Sequence, residues 1–359
     1  MVRTRTVLLA AVVALGLGGA ACKKGDDAKK MDDKTALAGG GSAVAVPGSK
    51  LGAPPTGMSE ANASDLALLP VDSEMVIGLN FAQLQQSALW KQFSPKLMDK
   101  ISSNLADFKA LCGFDPMDSF KSMAMGMKNL GGGGTPDGAI VVHGPDKAKM
   151  MACFDKSKAD ASKKGTEMTV DGDVVLVKNK DGTTAAFTFV NDSTMVGVIG
   201  AKGTKEGVMD AAKGASALKS SATFVDMYSK INTGDSLWML INGNSPALAK
   251  AGAMGVKPKA IFGSLNVTDG LTMDVRIRMG TPDEAKSFVS MAQGQVGNPQ
   301  VKQMFDALDV TNDANDARIS VKMSAAKLQA LIGMVGGMVG GMMGGGAGGS
   351  SAAGSMGGP

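Results

Sequence analysis

The 359 residues carry 37 Lys and Arg against 33 Asp and Glu, a formal net charge of +4 with the signs scattered along the chain. So small a bias leaves no basic stripe for nucleic acid, and aromatics at 4%, with Tyr228 the one tyrosine, leave neither a base-stacking platform nor a sugar-stacking cleft. The 27 methionines fall mostly at apolar-periodic positions, where a flexible thioether fills core gaps, and the length suits one large or two medium domains.

The chain opens with Arg3 and Arg5 ahead of an apolar run that begins at Val7 and ends in Gly18, Gly19, Ala20 and Ala21, directly before Cys22. A positive head, an apolar stretch and small residues define a secretory signal. Small residues fit an extended backbone into a peptidase groove, and the Cys22 thiol is the nucleophile there that can carry a diacylglyceryl thioether. The segment Gly19-Ala20-Ala21-Cys22 resembles bacterial lipoprotein precursors, although Gly19 stands where a large aliphatic residue is usual. The competing readings are a plain A-x-A cleavage site and an uncleaved helix, and an apolar run of about fifteen residues is short for a span of about twenty. We therefore expect removal of residues 1–21 and lipid attachment at Cys22, with further acylation of its amine making the hold on the bilayer stable. Lys23 in place of Asp after the cysteine implies, by the same resemblance, passage to the outer membrane of a Gram-negative cell.

Residues 22–63 are Lys, Asp, Gly, Ala, Ser and Pro in the main, too poor in apolar surface to offset ordering entropy, and read as a disordered tether. A first module is expected over 64–218. It begins with a strand at Ser73 to Phe81 and a helix capped by Ser87 that carries Leu89, Trp90, Phe93 and Leu97. A second helix, marked by Leu105, Phe108, Leu111 and Phe114, ends at Gly113 and Pro116. Strands follow at Phe120 to Met127 and Ala139 to Val142 across the Gly131 to Gly134 run, which lacks the Lys and hydroxyl residue of a phosphate-binding loop. Asp146 then caps a helix carrying Ala148, Met151, Ala152 and Phe154. Asp171-Gly172 and Asp181-Gly182 supply the positive φ angles of hairpin turns, so an antiparallel meander to Ile199 is expected, followed by a helix from Thr204 to Lys213.

A second module is expected over 219–332. It holds a helix at Phe224 to Ile231, a strand at Ser236 to Ile241, a short helix near Pro246, and a hairpin of Ile261 to Val267 with Leu271 to Met279. Thr281-Pro282-Asp283-Glu284 is a complete capping box for the next helix, and a strand at Ala317 to Met323 leads into a last helix. The fold class is α+β: two related modules, each an antiparallel twisted sheet with helices packed on one face. Residues 333–359 form a Gly/Met-rich tail. Met334, Met338, Met342 and Met343 invite either a helix-packing face or a Cu(I) site, and glycine at this density favours disorder.

Leu69-Pro70-Val71-Asp72 before the first strand and Ser87-Ala88-Leu89-Trp90 after it, with Cys112-Gly113-Phe114-Asp115-Pro116 and Cys153 beyond, are similar to a family of uncharacterised secreted lipoproteins of myxobacteria and their relatives. The resemblance implies an envelope lipoprotein with no assigned activity. Once Cys22 is committed to lipid, Cys112 and Cys153 remain as an even pair in a disulfide-permissive compartment and are expected to bond. Two buried thiols are the alternative.

Chemistry is sparse. His143 is the only histidine, which equips transition-metal chemistry poorly, and it reads as a strand-end polar residue. Asp309, Asn312, Asp313, Asn315 and Asp316 lack the glycine and terminal glutamate of a calcium loop and read as a solvated turn. No cofactor or metal is expected. The expected function is a membrane-anchored envelope lipoprotein that acts as a non-enzymatic binding or structural protein. Its partners would be the lipid bilayer through acylated Cys22 and an envelope protein or polymer, with no nucleic acid. The alternative is a periplasmic hydrolase using dispersed carboxylates.

Overall fold

The computed structural model describes residues 65–130, 137–163, 165–215, 217–243, 245, 248 and 257–331. The expected leader, Cys22, the expected tether, the Gly131 to Gly134 run, the Met-rich tail and nearly all of the short helix expected near Pro246 lie outside the described residues.

The strands are β1 (Met75–Asn80), β2 (Ser122–Lys128), β3 (Asp137–His143), β4 (Glu167–Asp171), β5 (Val174–Lys178), β6 (Thr184–Asn191), β7 (Thr194–Ile199), β8 (Leu237–Asn242), β9 (Ala260–Asn266), β10 (Leu271–Arg278), β11 (Ala307–Asp313) and β12 (Asp316–Met323). They form one antiparallel sheet in the order β11-β12-β10-β9-β8-β1-β2-β3-β7-β6-β5-β4. The helices are α1 (Phe81–Gln86), α2 (Ala88–Cys112), α3 (Pro116–Ser119), α4 (Lys147–Lys163), α5 (Lys205–Ala212), α6 (Ala222–Ser229), α7 (Pro282–Val296), α8 (Pro299–Met304) and α9 (325–331). The fold is α+β.

The two expected modules share this one ladder. Their boundary at 218/219 falls inside a 3-10 turn, Leu218–Ser220, and β1 bonds β2 on one side and β8 on the other. What repeats is strand order: β1-β2-β3-β7-β6 in one half matches β8-β9-β10-β12-β11 in the other, and the halves join where Ile77 pairs with Met239. The β4–β5 hairpin extends the first half alone.

Helices cover both faces of the sheet, which corrects the expectation of one. The reason is legible in burial: all six residues of β7 are buried, as are four consecutive residues of β3, so both faces of the central strands need cover. On one face Val76, Val141, Val196, Ala186 and Leu240 meet Val208 of α5, Phe224, Met227 and Tyr228 of α6, and Leu66, Leu68 and Leu69 of the leading segment. On the other, Phe154 of α4 stacks on Phe187 of β6 with ring centroids 6.4 Å apart, and Val289 of α7 closes on Val310 and Ala317.

The expected pair of helices after Ser87 is a single helix of 25 residues, because nothing between Leu97 and Leu105 breaks it. Ser87 caps it by accepting from the Trp90 N–H, and Gly113 ends it at φ +79°. In α4 the buried face is Met150, Cys153, Phe154, Ser157 and Ala161, while Ala148 and Ala152 are exposed. Cys153 thus points inward. Its sulfur stands at bonding distance from that of Cys112, at the end of α2, with the Cα atoms 4.6 Å apart.

Candidate functional site

β3 opens with Asp137-Gly138-Ala139 and β7 closes with Val198-Ile199, which leaves small side chains along one end of the sheet. The chain leaves β7 through Gly200 at φ +84°, and an added Cβ there would stand 1.9 Å from Asp137 Oδ1, so the backbone approaches that carboxylate closely. Asp137 accepts the Ala201 N–H at 2.7 Å and the Asn129 side-chain amide at 3.0 Å. Thr204 then caps α5 by accepting from the Gly207 N–H.

These choices leave a cavity of about 300 Å³ between α5, the sheet and the leading segment. Ala139 and Val198 line it from the sheet, Leu68 and Pro70 from the leading segment, and Ala211 from α5. Its polar lining is Asp72, Lys128, Asp137, Lys202, Thr204 and Asp210. Asp72 and Lys128 neutralise one another at 2.7 Å. Burial works to raise the Asp72 carboxyl, but the Lys128 hydrogen bond and the nearby charges of Lys128 and Lys202 outweigh it and hold the group below the usual carboxylate range. Asp137 and Asp210 add two further carboxylates to the same lining. No sequence motif announced this cavity. The traceable signals were its glycines and alanines, spread over three elements.

His143 ends β3 about 20 Å along the strand from Asp137, since each residue advances the chain by about 3.3 Å. It is the strand-end polar residue expected, and both ring nitrogens are engaged. Its Nε2 lies 2.7 Å from Asp65 Oδ1 and its Nδ1 lies 3.2 Å from Thr194 Oγ1. Asp65 belongs to a helical turn over residues 65–68 and is 2% exposed. Burial raises its carboxyl against the pull of the His143 bond, and burial together with the Asp65 charge pushes up the Tyr228 hydroxyl. Acid, imidazole and hydroxyl are the ingredients of nucleophilic catalysis, but Thr194 is 7% exposed and sits inside the packed face.

The second half explains this array. There the cross-strand pair that corresponds to His143 and Thr194 is Arg278 and Asp316. Arg278 donates through Nε at 2.7 Å and Nη2 at 3.0 Å to Asp316, and Lys230 just past α6 reaches the same carboxylate at 3.1 Å. Arg278 also meets Asp226 of α6 at 2.7 Å. Each polar pair thus pins one segment to the same face: α6 in one half, the 65–68 turn in the other.

The acidic run read as a solvated turn is a hairpin. Asp309, Asn312 and Asp313 lie in β11, and Asp316 opens β12, 1% exposed. Arg276, Arg278 and Arg318, the three arginines after Arg5, stand on one face of β10 and β12 among Asp274, Asp313 and Asp316. Among the described residues no group of three His, Cys, Asp or Glu could hold a metal ion, and no helix is long and apolar enough to cross a membrane.

No protein-family model matches the chain, and no curated protein or solved structure matches it.

Proposed function

We propose that the chain is an envelope lipoprotein, anchored through acylated Cys22, whose folded part binds a partner and performs no turnover. The observation that carries the binding half is the cavity under α5, where the charged side chains of Asp72, Lys128, Asp137, Lys202 and Asp210 converge around an apolar lining. Such convergent polar groups around an apolar lining are the ordinary make-up of a binding site. The anchoring half draws its support from the leader and from the Cys112–Cys153 pair, which suits an oxidising compartment. An envelope protein or an envelope polymer is the partner class.

The alternative, a hydrolase built on dispersed carboxylates, draws less support. Its acid would need a raised pKa at the cavity, whereas Asp72 is lowered there and the raised carboxyl, Asp65, is buried against His143.

Expression with its own leader in a Gram-negative host, fed an alkyne-bearing fatty acid, tests the anchor. Mass spectrometry of the mature protein should find a lipidated Cys22 at the N-terminus, and Cys22→Ala should abolish labelling. A photo-crosslinker at position 202 in intact cells tests binding. One discrete adduct that disappears in the Asp210→Ala variant supports the proposal, and an unlipidated, uncleaved chain with no adduct overturns it.

A further inference from the structure

We draw no further inference here: the strongest candidate, the polar sheet face of β10 and β12 that carries Asp274, Arg276 and Arg318 on the side away from α7, has its guanidinium groups paired with Asp274 and Asp313, and nothing in the structure shows what covers it.

Discussion

Gly78 lies directly across the β1–β8 ladder from Trp238, and a Cβ added to it would stand 1.9 Å from the indole Cε2. The missing side chain is filled by the tryptophan, which is 3% exposed and meets Tyr228 of α6 edge-on with ring centroids 5.4 Å apart. This contact sits at the junction of the two repeated halves, so it decides how they close. Gly78→Ala should destabilise the fold by about 1–3 kcal/mol through overpacking. In a double-mutant cycle Trp238→Leu should relieve much of that cost, measured by urea unfolding. Additive losses would show that the two residues do not share the space.

The Cys112–Cys153 pair joins α2 to α4 across a sequence separation of 41. Reductant should lower the unfolding free energy by about 2–5 kcal/mol. A Cys112→Ala/Cys153→Ala variant should start from the lower value and ignore reductant. Equal thermal curves for the oxidised and reduced protein would remove the bond from the account.

Asp65 and Asp316 make opposite contributions to stability as pH changes. Burial leaves the Asp65 carboxyl above its ordinary 3.8 despite the His143 bond, so the folded state holds that proton more tightly. Stability from this group is present below 3.8 and declines as pH rises through the raised value. Burial also pushes Asp316 upward, but bonds from Arg278 and Lys230 outweigh it and hold the carboxyl below 3.8. Its contribution is present above 3.8 and is lost as pH falls. Urea unfolding from acid to neutrality should show Asp65→Asn removing the decline on the upper side and Asp316→Asn removing the one on the acid side. An unchanged slope in Asp65→Asn would mean that the carboxyl is not held in the core.

Removing one partner of a buried ion pair costs more than replacing both. Asp316→Ala leaves Arg278, whose side chain is 18% exposed and stacked 5.1 Å over Phe262, without its bidentate acceptor. We expect a loss of about 3 kcal/mol. The double variant Arg278→Met/Asp316→Leu should recover part of it. Chemical denaturation of the three proteins separates these outcomes, and a double variant weaker than Asp316→Ala would sink the pairing argument.

Much of the element list was readable in advance because its signals are local. Asp171-Gly172 turns β4 into β5 with Gly172 at φ +59°, as an Asp-Gly pair between strand-like runs requires. Thr281 and Glu284 cap α7 reciprocally, as their spacing predicts. Elements whose deciding contact is distant carry no such local signal. β11 went unrecognised because its Asp309, Thr311 and Asp313 face solvent and mimic a loop.

By itself the sequence determined the α+β class and the turns and caps, since each depends on neighbouring residues or on their periodicity. Tertiary structure alone decided that the two halves share one sheet with helices on both faces, that His143 answers Asp65, and that Lys202 and Asp210 line one cavity. The reason is physical: these relationships join segments dozens of residues apart, and a cavity is the space left over once distant elements have packed.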